Sequence, residues 1–343
     1  MIENKNIKFN CQELNIDSVY IFDDGDFIVF GNYMPVKECK DTNYYSKLYD
    51  SKTLQPKLFL KVSSESCFFD LKDGEFGICK NYNDFNLYKF NSTKTDYKFV
   101  QSLSTEFGTG NKLKKLSNGD IIFFIISLFK YITIFRKIKD NSLKKNNNNN
   151  NEYKYEVCKE YHLEYYEDII ELNDKEFLGY KKFINTPESI LFRIFDNNNY
   201  QIKKENTIIC QDKNNGFKRR LYFTSLFKYK DKLICAGGDK IYIIDLNYLE
   251  LETTIQLSKT IYKILVRPNG NILVLSQKIN VNKYLYLLYD IKIDYKTNEM
   301  IQNKENDVTE KIGNFPSFFQ FYNYPNNGLV IITNNSLIIY DNY

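Results

Sequence analysis

Apolar and polar positions along the chain fall into short runs separated by turn signals. Leu221 to Tyr229, Leu233 to Ala236, Ile241 to Asp245 and Leu249 to Ile255 are apolar runs joined by Lys230-Asp231-Lys232, Gly237-Gly238-Asp239-Lys240 and Leu246-Asn247-Tyr248. Connections this short join only antiparallel neighbours, so the stretch predicts one four-stranded antiparallel sheet. The same device recurs. Asp24-Gly25 precedes Phe27 to Phe30, Asp73-Gly74 precedes Phe76 to Cys79, and Asn118-Gly119 precedes Ile121 to Phe124. Asn269-Gly270 precedes Ile272 to Leu275, and Asn327-Gly328 precedes Leu329 to Ile332. Asn-Gly and Asp-Gly tolerate the positive φ angles of a two-residue hairpin, the loop expected at each. Asn173-Asp174-Lys175 before Phe177 and Asp231-Lys232 before Leu233 complete the series without a glycine. Seven hairpins at intervals of roughly 50 residues predict seven repeated sheets.

Third strands are expected to end in an aromatic or aliphatic residue followed by an acid: Tyr49-Asp50, Phe195-Asp196, Ile244-Asp245, Tyr289-Asp290 and Tyr340-Asp341. After the last of these the sequence has no run left for a fourth strand. Ile7 to Cys11, ahead of the first repeat, is expected to supply it by pairing with Ile338 to Tyr340, which removes an open sheet edge. The expected fold class is therefore all-β, a seven-bladed β-propeller of four-stranded antiparallel blades closed by an N-terminal strand, with residues 1–343 as one domain. Asn146 to Asn151, behind Lys144-Lys145, cannot bury enough apolar surface to order itself, so an Asn-rich insertion at about residues 140–152 is expected to be disordered. Gly31 to Asn43, Leu103 to Asn111, Gln211 to Arg220 and Asn303 to Asn314 are expected to be long loops, leaving the tight hairpins at the opposite end of the blades.

Composition agrees with strands. Aromatic residues make up 16%, with 29 Tyr and 27 Phe, residues that favour strands. A net charge of +4 from 47 basic and 43 acidic residues gives no polyanion footprint, so no nucleic-acid partner is expected. Seven scattered cysteines without a CxxC pair fit a reducing compartment. Met1 to Asn10 has no apolar h-region, and Ile121 to Phe129 is half of the ~20 residues a membrane span needs. A soluble, cytoplasmic monomer is expected, with the nucleus left open.

Candidate chemistry is sparse. A nucleophile-histidine pair would have to use His162, which reads as part of a segment joining two blades. The third-strand aspartates read as turn caps. No Gly-rich phosphate loop opens a helix, and no cofactor, metal or catalytic group is expected. Phe217-Lys218-Arg219-Arg220, with Lys213, Lys228, Lys230 and Lys232 nearby, is the one basic cluster and the candidate partner-binding site.

The strand-terminal acids and Ala236-Gly237-Gly238-Asp239 resemble the repeats of the WD40 superfamily, although the chain has no Trp and a single His. That resemblance implies a non-catalytic platform for one or more proteins or peptides. Phe217 to Arg220 is similar to the Phe-Arg-Arg-Gly motif of the phosphoinositide-binding PROPPIN propellers, which implies membrane recruitment as the alternative. A propeller hydrolase is the third reading.

Overall fold

A computed structural model describes residues 5–8, 14–33, 44–60, 62, 68–79, 84–104, 111–125, 131–139, 153–162, 166–182, 189–209, 226–280, 283–297, 299–309, 320–326, 328–332 and 336–340. The elements among them are all strands. In chain order, β1 is Lys5–Lys8, followed by a sheet of β2 (Leu14–Ile21), β3 (Phe27–Tyr33), β4 (Tyr44–Tyr49) and β5 (Pro56–Phe59). The second sheet is β6 (Phe68–Asp70), β7 (Glu75–Cys79), β8 (Asp84–Phe90) and β9 (Tyr97–Ser104). The third is β10 (Asn111–Lys115), β11 (Ile121–Ile125), β12 (Tyr131–Lys139) and β13 (Tyr153–His162), and the fourth is β14 (Asp168–Asn173), β15 (Glu176–Lys182), β16 (Ser189–Asp196) and β17 (Ile202–Ile209). The fifth is β18 (Leu226–Tyr229), β19 (Lys232–Gly237), β20 (Lys240–Asp245) and β21 (Glu250–Gln256). The sixth is β22 (Thr260–Val266), β23 (Ile272–Asn280), β24 (Lys283–Asp294) and β25 (Glu299–Asp307). The seventh joins β26 (Gln320–Tyr324), β27 (Gly328–Ile332) and β28 (Ser336–Tyr340) to β1. These are the blades of a seven-bladed β-propeller.

The second strands are the legible ones for a physical reason. β19 and β27 are buried at every position, and buried strands covered on both faces read as unbroken apolar runs. Fourth strands such as β21 are exposed at most positions and carry little apolar signal.

Two compact units divide the chain: Met1–Pro56 with Phe183–Ile190 and Asn206–Tyr343, and Lys57–Lys182 with Leu191–Glu205. In the first, Val19, Phe27 and Val29 pack with Val330, Leu337 and Ile339, and Ile234, Ile241 and Ile243 pack with Ile264, Ile272 and Val274. In the second, Phe85, Leu87 and Leu103 pack with Leu113, Phe123 and Phe135, and Ile122, Phe124 and Ile134 pack with Tyr166, Ile169 and Phe177. Each core cluster is thus the seam between successive sheets.

Several expectations need correction. The closing strand is Lys5–Lys8, with Ile7 opposite Leu337 and Lys5 opposite Ile339. Ile7 and Lys8 of the expected strand thus pair with β28, and Phe9 to Cys11 lie outside the described residues. The loops at Asp24-Gly25, Asn118-Gly119 and Asn269-Gly270 are longer than two residues, whereas Asp73 and Gly74 both take the expected positive φ and Glu75 N–H closes the turn on the Lys72 carbonyl at 2.9 Å. Gly25, Gly119 and Gly270 each donate to the carbonyl three residues back at 2.9 Å and alone carry positive φ, +88° to +89°. That is a type I turn closed by a left-handed glycine. Asp24, Asn118 and Asn269 reinforce it by accepting the N–H two residues on. The glycine-free loops Asp174-Lys175 and Lys230-Asp231 have two residues. Asn303 to Asp307 belongs to strand β25 rather than a loop, because β24 runs on to Asp294 and turns only there. Asp290 consequently lies inside a strand. The Asn-rich stretch at 140–152 and Asp341 lie outside the described residues.

Candidate functional site

One position recurs at the head of six of the seven second strands, immediately after the turn: Asp26, Glu75, Asp120, Glu176, Lys232 and Asn271. The following residue is a buried aromatic or aliphatic one, and it drags its polar neighbour beneath the surface; Asp26, Glu75, Asp120 and Lys232 are all buried. A buried charge is costly unless paired, and each of these four is held.

In the unit Lys57–Lys182 with Leu191–Glu205, Glu75 accepts from Lys115 Nζ at 2.8 Å and from the Tyr155 hydroxyl at 2.9 Å, with Lys137 Nζ 3.4 Å away. Burial raises the carboxyl's pKa, but Lys115, Lys137 and Tyr155 together bring it below 4.5. Burial, then the Glu75 charge, pushes the Tyr155 phenol well above the ordinary range, so it stays a donor. Asp120 receives the Tyr200 hydroxyl and Arg136 Nε, the latter at 3.3 Å. Burial and the Asp120 bond likewise raise Tyr200.

The turn after β16 is stapled from the preceding blade. Asn118 Nδ2 donates to the Asn197 carbonyl at 2.7 Å, Arg136 Nη2 to that of Asn198 at 3.2 Å and Lys159 Nζ to that of Asn199 at 3.2 Å. Three consecutive carbonyls therefore fix blade four on blade three. First strands β10 and β14 are joined similarly, Lys112 Nζ donating to the Glu167 carbonyl at 2.9 Å and Lys114 Nζ lying 3.1 Å from Asp168. Burial opposes, but the two lysines hold the Asp168 carboxyl below its ordinary value.

The other unit uses the inverse polarity. Lys232 Nζ lies 2.9 Å from Asp245, 2.6 Å from Glu252 and 3.4 Å from Asp231. Burial lowers the Lys232 pKa, and bonds to Glu252 and Asp245 more than reverse this. Asp26 accepts the Ser51 N–H at 3.0 Å. Strand-end acids act as expected: Asp50 caps Lys52 and Thr53 at 2.9 and 2.8 Å, Asp196 caps Asn198 at 2.8 Å, and Asp245 caps Tyr248 at 2.9 Å. This chemistry positions blades.

Of the candidate residues read from sequence, Phe217, Lys218, Arg219 and Arg220 lie outside the described residues. Lys232, grouped with them as a basic surface residue, is instead buried in its acid triad because Leu233 next to it is core. Lys230 Nζ sits 5.2 Å over the Tyr229 ring. His162 ends strand β13 opposite Tyr131 rather than joining blades. Cys235 is buried, Cys79 half-buried and Cys158 exposed, and none of the three is in a disulfide. Among the described residues no three His, Cys, Asp or Glu side chains are grouped as a metal site, and no helix is long and apolar enough to cross a membrane. Asp26, Glu75, Asp120 and Glu176, which follow their turns directly, are not among the candidates read from sequence, and no local pattern shows their partners, since Tyr155 and Tyr200 each come from 80 residues away.

No family model matches the chain, and no curated protein matches it. Solved structures do. The WD40 domain of SCAP from fission yeast is 10% identical with a TM-score of 0.55, covering 98% of this chain and 98% of that one. The Neurospora crassa Pan2 WD40 domain is 10% identical with a TM-score of 0.55 over 96% and 90%. Saccharomyces cerevisiae Sqt1 is 9% identical with a TM-score of 0.55 over 99% of each chain. With seven four-stranded antiparallel blades and this likeness running along the whole chain, the protein has the fold of a WD40-type β-propeller.

Proposed function

We propose that the chain is a non-catalytic platform that binds one or more proteins or peptides. The observation that carries this is the use made of its buried ionisable groups: Glu75, Asp120 and Lys232 are saturated by partners that lock strands together, which suits a rigid scaffold displaying loops. Phe217, Lys218, Arg219 and Arg220 join an aromatic to three cations and are the proposed anchor for an acidic group on the partner. The proposed setting is a cytoplasmic monomer without cofactor or nucleic acid.

Affinity purification of the tagged full chain from its own cells tests the platform. Replacing Lys218, Arg219 and Arg220 together by serine is expected to leave the melting temperature unchanged and to reduce partner recovery; full recovery places the anchor elsewhere. The similarity of Phe217 to Arg220 to a phosphoinositide-binding motif supports the second reading. Flotation with phosphoinositide liposomes that is lost in the triple variant would favour it over the platform. Turnover in an esterase or lactonase screen would favour the hydrolase.

A further inference from the structure

Strands β8 and β9 carry an arrangement that the fold does not require. Lys89 and Lys98 stand directly opposite one another, and both are exposed. Like charges in that relation destabilise a sheet. Neither lysine has an ion pair or side-chain hydrogen bond among the described residues. Lys89 is in turn opposite Glu75 on β7, so Glu75, Lys89 and Lys98 form one row on one face. The Glu75 carboxylate, however, is bound to Lys115, Lys137 and Tyr155. The row therefore keeps surplus positive charge.

Beside it, Lys137 Nζ lies 5.1 Å from the Tyr153 ring, which is 46% exposed. Gln101, on the same face of β9, both donates to the Tyr155 carbonyl at 2.9 Å and accepts its N–H at 2.8 Å. These bonds hold β9 against β13, so the lysines and the tyrosine sit on fixed strands.

We propose that Lys89, Lys98 and Lys137, with the Tyr153 ring, form a docking surface for an acidic, extended peptide segment of a partner protein; this rests on the platform reading and adds a second contact to it. Lys89 and Lys98 stand opposite one another at the strand separation of about 4.8 Å, and Lys137 lies beside them on β12 of the next sheet, 3.4 Å from Glu75. A row suits successive carboxylates of an extended chain, about 6.6 Å apart on one face, better than a single phosphate. The half-exposed ring offers contact to an apolar side chain between them.

Fluorescence anisotropy with a labelled decapeptide of glutamate containing two tyrosines tests this on the full chain. Binding that weakens with salt is expected, and each of Lys89→Gln and Lys98→Gln should weaken it about tenfold. Lys98→Glu should abolish it while raising the melting temperature, because it turns a repulsive pair into an attractive one; a merely structural lysine would not separate the two readouts. Absence of peptide binding by the wild type, or unchanged binding by the double glutamine variant, overturns the proposal. So does lysine-dependent binding to inorganic phosphate or phosphatidylserine vesicles without binding to the peptide. If recovery of native partners persists in any of these cases, the platform reading stands and this surface alone is refuted.

Discussion

Lys232→Met tests the claim that buried ion clusters hold the blades. The lysine side chain is 9% exposed and is the only cation among the described residues within 4 Å of Asp245, which is itself 10% exposed. Methionine fills the space of the stem but leaves the Asp245 carboxylate without its counter-charge. Removing one partner of a buried pair costs about 3–5 kcal/mol. Unfolding entropy of about 2 cal/mol/K per residue over 343 residues makes this a fall in Tm of roughly 4–7 °C if the chain unfolds as a unit. Scanning calorimetry at neutral pH is the assay. Adding Asp245→Asn removes one stranded charge while its side-chain oxygen still accepts the Tyr248 N–H, so the double variant should recover part of the loss. A Tm within 1 °C of wild type for Lys232→Met would refute the reasoning, because it would mean the cluster is solvated rather than enclosed.

Gly179→Ala should destabilise by about 1–3 kcal/mol, since its Cβ would stand 2.7 Å from the fully buried Tyr166 ring; denaturant titration showing no change would mean the ring moves freely. Acid should weaken the protein in a defined window. Glu75, Asp168 and Asp245 have folded pKa values below their unfolded ones, so their stabilisation is complete above about pH 4.5 and is lost as pH falls through the folded values. Tm measured from pH 6 to pH 3 should drop, and Glu75→Gln should drop less over that range while starting lower. Deleting residues 1–12 should lower Tm markedly by baring the edge of β28, and unchanged melting would refute strand closure by β1.

Much of the fold was legible because the strands that identify a blade, its second ones, are buried on both faces and must be apolar throughout. Runs such as Leu233 to Ala236 and Leu329 to Ile332 could be read for that reason, and the turn residues beside them gave the repeat. Fourth strands were harder: β25 is polar and exposed, so Asn303 to Asp307 read as loop until its pairing with β24 was seen. Turn type also eluded the dipeptide rule: Gly25, Gly119 and Gly270 close three-residue loops, while Asp73-Gly74 takes the two positive φ angles the rule expects.

What the sequence by itself determined is local: strand positions, turn acids that cap their own loops, and polar residues placed just ahead of a core residue. Which partners those polar residues meet was decided by tertiary structure alone. Asp120 and Tyr200, or Gln101 and Tyr155, are distant in the chain and share no pattern that a short window could register. Only the packing of one sheet against the next brings them within hydrogen-bonding distance, where exclusion of water makes an unpaired charge too costly to keep. The row of Lys89 and Lys98 has the same origin: two residues nine apart along the chain become neighbours through strand register, and their repulsion exists only in the folded sheet.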